Sequence, residues 1–173
     1  MLNNQSTKYT LSSFVISLML CLSLQSSFAS DNLPKGKDYP ANNIYNGKPA
    51  EQIDKSDEFT NTFRTRFKEA IQGDVVFAGE FAQAEWGCGG SGCHVIAFIN
   101  KRTGRALNHS FMAYDAGDDS NSKPIGEDIV YMNKESNLIV TIETSESSED
   151  KYYNYYTLDT KKNDLTLIKK VKK

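Results

Sequence analysis

The residues of this chain best suited to chemistry lie in one stretch, Trp86-Gly87-Cys88-Gly89-Gly90-Ser91-Gly92-Cys93-His94. Two thiols separated by small residues, with an imidazole beside the second, allow a disulfide, a thiolate metal site or a redox pair. A zinc site normally takes four ligands, and besides carboxylates only His94 and His109 are available. A redox pair is usually Cys-x-x-Cys in an electropositive setting, which glycines and a serine do not supply. The spacing therefore predicts a structural disulfide between Cys88 and Cys93, closing a glycine-rich ring. Such a small loop stabilises by about 2 kcal/mol on the chain-entropy argument. No metal and no cofactor are expected.

Nucleophilic catalysis finds no support either. Ser91 sits between Gly90 and Gly92, but a nucleophile elbow needs glycines two before and two after, between a strand and a helix. Neither histidine has a carboxylate beside it in sequence. The paired acids Asp118-Asp119 and Glu149-Asp150 fall in polar stretches where nothing would separate their pKa values. The chain is read as not an enzyme. A ring of Gly89, Gly90, Ser91 and Gly92 can instead present backbone N–H groups to an anion or a peptide carbonyl. Trp86 and His94 flank that ring. Trp86 with Phe81, Tyr114 or Tyr131 would form an aromatic wall beside it, or Trp86 simply closes the core beneath it. Tyr152, Tyr153, Tyr155 and Tyr156 surround Asn154, so at least two should face outward, as interface residues or on the wet side of a sheet.

The compartment decides the thiol chemistry. Residues 11–24 are mostly apolar, Lys8 is the only charge before Asp31, and Ser27-Phe28-Ala29 puts small residues where a signal peptidase reads. The stretch is too short and serine-rich to span a bilayer well, and Leu20 before Cys21 does not fit a lipobox. The expectation is a signal peptide over 1–29, cleavage near Ala29, a periplasmic protein and no stable membrane anchor. Cys21 leaves with the leader, and an even pair remains in an oxidising compartment. Loss of Lys8 makes the net charge of −2 one unit more negative, which gives no footprint for nucleic acid. Acids crowd 115–150 while lysines crowd 161–173. That asymmetry reads as solvated loops and a frayed end, or as an acidic face (Asp118, Asp119, Glu149, Asp150) that steers a basic protein partner.

The elements that must position the ring follow from pattern. Residues 30–50, rich in proline and glycine, read as a flexible lead-in. Ser56 or Asp57 can cap a helix carrying Phe59, Phe63, Phe67 and Ile71 on one stripe, stopped by Gly73. Strands follow over 75–86, 95–100, 105–108, 110–114, 129–132, 138–143, 152–158 and 165–171, with 115–128 a long loop. Gly79 marks a bend or close approach, and Gly104 suits a positive-φ hairpin position. The predicted fold is α+β over 51–173: an N-terminal amphipathic helix packed on a six- or seven-stranded antiparallel meander, with the disulfide loop at one edge.

Arg64-Thr65-Arg66-Phe67, Phe77-Ala78-Gly79, Trp86-Gly87-Cys88-Gly89, Gly92-Cys93 and 99–104 (Ile-Asn-Lys-Arg-Thr-Gly) resemble an uncharacterised family of small exported bacterial proteins. Their shared signature is a Trp-Gly-Cys-Gly loop before a hairpin ending in Thr-Gly. The match departs at Glu80, where the family pattern has histidine, and by one extra residue between the cysteines. The resemblance implies export and architecture, and no activity. The chain is also similar, in topology and compartment, to the vertebrate-type lysozyme inhibitors of the periplasm, which push a four-residue loop between two cysteines into the enzyme's cleft. Here that loop lacks their charged and imidazole groups. The expected function is non-catalytic protein binding of the inhibitor or toxin-neutralising (immunity) kind. The alternative is a small-ligand or cell-wall-fragment binding module that uses the same ring.

Overall fold

The computed structural model describes residues 32–90, 92–117, 121–148 and 150–173. The predicted signal peptide and the calls on Ser91, Asp118, Asp119 and Glu149 lie outside the described residues. Among the described residues, no helix is long and apolar enough to cross a membrane.

Seven antiparallel strands run in chain order across one sheet: β1 (Phe81–Gly87), β2 (His94–Asn100), β3 (Ala106–Ala116), β4 (Lys123–Tyr131), β5 (Leu138–Thr144), β6 (Lys151–Asp159) and β7 (Asp164–Lys172). Alternation sorts their side chains. Phe81, Phe98, Phe111, Ile139 and Tyr156 meet in one buried cluster. Ala82, Ala84, Ala97 and Ile99 meet Phe67 and Ile71 in a second. Leu138, Val140 and Tyr155 make a third. The sheet also curls. β3 pairs with β4 only from Ala113 to Ala116, up to Gly126. Its other half meets the β6–β7 turn, where Asn108 N donates to Asn163 O at 2.8 Å and Asn163 Nδ2 donates to Ala106 O at 2.7 Å.

The α+β assignment with one substantial amphipathic helix is corrected. The expected helix is two short ones, α1 (Glu58–Thr62) and α2 (Arg64–Ala70), laid on a sheet that dominates the chain. The stripe faces the sheet as predicted, but the helix breaks at Phe63, which has φ −101° and ψ 26°. Thr60-Asn61-Thr62 has low helical preference because its side chains compete for the backbone or lose rotamer freedom. Thr60 also has another task. Its hydroxyl donates to Asp57 Oδ1 at 2.6 Å and accepts the N–H of Ala106 at 2.9 Å. That tether fixes α1 to β3 while α2 follows Phe67 onto β1.

Other boundaries shift for local reasons. The long first strand begins only at Phe81, because Ala78 and Gly79 turn with φ of 48° and 78°. A Cβ on Gly79 would lie 2.0 Å from Asn43 O, so the chain passes there at a distance only glycine permits. The segments at 105–108 and 110–114 are one strand, and much of the expected loop over 115–128 is the start of β4. The lead-in is fastened to the rest of the fold by backbone bonds. Ala41 N reaches Glu135 O, Tyr45 N reaches Gly79 O, and Ala50 N reaches Lys101 O at 2.6–2.9 Å. The lysine-rich end is a strand, β7, instead of a frayed terminus.

Candidate functional site

Cys88 and Cys93 are bridged, with Cα atoms 5.2 Å apart. They close the turn between β1 and β2, whose last paired residues are Gly87 and His94. Two backbone bonds reinforce the ring: Cys88 N to Cys93 O at 3.1 Å and Cys93 N to Gly90 O at 3.2 Å. Gly89 and Gly92 hold φ of 138° and 64°, which L side chains rarely adopt. A Cβ on Gly92 would also come within 2.6 Å of Asp115 Oδ2. At Gly89 and Gly90 a Cβ would meet nothing within 4 Å. The ring is thus fixed at its base and open at its tip. In oxidising buffer the protein should show no free thiol at Cys88 or Cys93, and two after reduction in denaturant, by a thiol-reactive dye. Cys88→Ser should cost about 2 kcal/mol and leave a folded domain. A reactive thiol in the native protein would overturn the assignment.

His94 ties the ring to the middle of the sheet. Its Nδ1 lies 3.0 Å from Gly92 O and its Nε2 lies 2.8 Å from Asp128 Oδ1. Both neighbours accept hydrogen bonds. A neutral imidazole has one N–H and can satisfy only one of them, whereas the imidazolium satisfies both. The Gly92 carbonyl, then the Asp128 carboxylate, raise the His94 pKa above its ordinary value against a smaller opposing effect of burial, and Glu85 adds a weaker push. Asp128 lies thirty-four residues from His94, so no local pattern in the sequence joins the two.

This geometry has a defined pH consequence. Because the folded pKa is raised, the stabilisation is complete below about 6.5, the unfolded value. It is lost as pH rises through the higher folded value. Asp128→Asn should move the His94 titration midpoint, read from its ring-proton NMR shifts, down toward the ordinary value. Identical midpoints in the two proteins would show that Asp128 does not hold the ring.

The remaining predicted site residues separate. Trp86 stacks on Phe63 (centroids 4.7 Å apart, 24°) and meets Phe67 edge-on at 6.0 Å, so it packs under the helices. Phe81 is buried in the core and Tyr131 lies over Gly36, so neither joins Trp86 in an aromatic wall beside the ring. Tyr155 and Tyr156 are buried and Tyr152 and Tyr153 half-buried, so the tyrosine run is mostly packing. Asp150 pairs with Lys172 at 2.7 Å, which holds its carboxyl below the usual range. Glu143 pairs with Lys170 at 2.6 Å. Part of the acid-rich segment therefore meets the basic β7 within the fold. His109 sits beside Phe111 and Tyr156, with Nδ1 3.6 Å from Asp164.

One polar constellation escaped the sequence entirely. Glu127 and Glu143 are directly opposite across β4 and β5. Asn154 on β6, 1% exposed, donates from its single amide nitrogen to Glu127 Oε1 at 2.9 Å and Glu143 Oε2 at 2.7 Å. Thr141 and Tyr156 also donate to Glu127 Oε1, the tyrosine at 2.8 Å. Asn154 Oδ1 is buried without a partner. Glu127 Oε1 thus gathers three donors, from Thr141, Asn154 and Tyr156, which fix the carboxylate in place across β4, β5 and β6. Among the described residues, no group of three or more His, Cys, Asp or Glu is placed to hold a metal ion. No protein-family model, no curated protein and no solved structure matches this chain.

Proposed function

We propose that this chain is an exported, periplasmic, non-catalytic binding protein of the inhibitor or neutralising kind, which inserts its disulfide ring into a cleft of a protein partner. The observation that carries the reading is the contrast within the ring. Its base is held by the disulfide, by His94 and by the close approach of Asp115, while the tip at Gly89 and Gly90 meets nothing. A preorganised loop loses little conformational entropy on binding, so more of its contact energy appears as affinity. The disulfide suits an oxidising compartment.

The test is capture from a periplasmic extract on immobilised wild-type protein and on Gly90→Trp, with identification of what is retained. Gly90 has an ordinary backbone conformation and open space beyond it. The substitution should therefore leave the unfolding midpoint within about 2 °C, since surface changes cost little. It should speed dissociation of the retained protein at least about tenfold, because contact losses fall mainly on the off-rate. A partner that binds both variants alike would move the interface elsewhere. A retained glycan in place of a protein would favour the small-ligand reading of the ring.

A further inference from the structure

A second surface, sharing no residue with the ring or the His94–Asp128 pair, has the character of a ligand groove. It encloses about 550 Å³, within the range of small-molecule sites. Leu138, Val140 and Tyr155, all buried, form its floor, and Leu33, Val130 and Tyr131 its walls. Those walls are 39%, 52% and 37% exposed and make up half of the large exposed apolar residues in the described chain. Exposed apolar surface gathered in this way marks a binding site more often than scattered residues do.

The charge around the groove selects among apolar ligands. Among the described residues, Lys35 is the one charged residue that lines it, and no carboxylate does. A second ammonium, Lys173 Nζ, lies 5.8 Å from the centroid of Tyr153, another lining residue. Asp38, three residues beyond Lys35, uses its carboxylate on the backbone N–H of Lys35 at 3.2 Å. An apolar trough with lysine side chains at its border matches a molecule with an alkyl body and an anionic head. Lysine stems can lie along the alkyl chain while the heads reach the anion.

We infer that this groove binds a single-chain amphiphile with a carboxylate head, taken as a free molecule and not as part of a membrane surface. The alkyl chain lies over Leu138 and Val140 between Val130 and Leu33, and the carboxylate faces Lys35 and Lys173. This goes beyond the ring-mediated binding proposed above and does not depend on it.

The test is a titration of the purified protein with decanoate, decyltrimethylammonium and decyl maltoside, each below its micelle concentration, followed by amide NMR shifts. Decanoate should shift Val130, Tyr131, Leu138, Val140 and Tyr153 and leave Gly89 and Gly90 still. The cationic amphiphile should bind at least about fivefold more weakly, and added salt should narrow that gap by screening. Val130→Asp, at an exposed position, should weaken decanoate about tenfold, and Lys35→Glu should erase the preference for the anion. Equal binding of the three amphiphiles, shifts centred elsewhere, or no shifts would overturn the inference. So would binding to phosphatidylglycerol vesicles with none to free decanoate, which would make the groove a membrane contact.

Discussion

Asn154→Leu is expected to lower unfolding free energy at neutral pH by about 2 kcal/mol, measured by urea denaturation, since it removes a donor from each of two half-buried carboxylates. The amide nitrogen of Asn154 is shared by Glu127 and Glu143, and no other described side chain bridges them. Leucine fills similar space but donates nothing. The pH dependence identifies the cause. Asn154 first, then Lys170, hold the Glu143 carboxyl below its ordinary value. A depressed pKa contributes stability above the unfolded pKa, and that contribution is lost as pH falls through the folded one. The difference between wild type and Asn154→Leu should accordingly be largest near neutrality and shrink in acid. Combining Asn154→Leu with Glu127→Gln should cost less than the two changes added, because both disturb the same Asn154–Glu127 bond. Strict additivity, or a penalty independent of pH, would mean that the network contributes by packing alone.

That network shows where sequence reading stops. Tyr152 to Tyr156 around Asn154 looks like the wet face of a strand, and Glu127 and Glu143 look like solvated acids. Only register assembles them: Glu127 opposite Glu143, then Thr141 opposite Asn154 on the next strand. Nothing local encodes which strand lies beside which, and a one-residue slip would send these groups to the other face. The same holds for His94 and Asp128, joined across the sheet at a separation of thirty-four residues.

What was legible rests on local chemistry. The near-continuous apolar runs over 95–99 and 138–142 show strands directly, because β2 and β5 bury successive residues on both faces. The small loop between Cys88 and Cys93 leaves little freedom for another geometry, and Gly79 and Gly104 announced their positive φ. The helix was only half legible. A four-residue repeat of Phe59, Phe63 and Phe67 reports which side faces the sheet, and that side is right. It says nothing about continuity, because the break at Phe63 follows from the tertiary bond of Thr60 to Ala106. Likewise the proline-rich lead-in carries no apolar pattern, yet its backbone finds partners. Ser136 Oγ donates to Gly36 O at 3.0 Å and Asn137 N to Tyr39 O at 2.7 Å.

Trp86 offers the second large effect, and it separates packing from recognition at the ring. It is the single tryptophan of the chain, one residue from the turn that carries the disulfide, and its ring contacts are Phe63 and Phe67. Trp86→Ala would remove the stacked partner of Phe63 and one edge partner of Phe67, leaving both rings packed edge-on against Phe59. A cost of about 3 kcal/mol is expected from lost burial and the void left behind. Its calorimetric unfolding midpoint should fall by at least about 6 °C, given the entropy of unfolding of a domain this size. Binding should behave differently. Below that lowered midpoint, the variant should retain a ring-directed partner with dissociation changed less than about threefold, a small free-energy difference. Wild-type Trp86 fluorescence should not shift in wavelength on binding, because the indole is sandwiched beneath the helices instead of standing beside the ring. A folded Trp86→Ala protein that has lost its partner, or a blue shift on complex formation, would place the indole in the interface and shift the contact surface from the glycine tip to the base of β1.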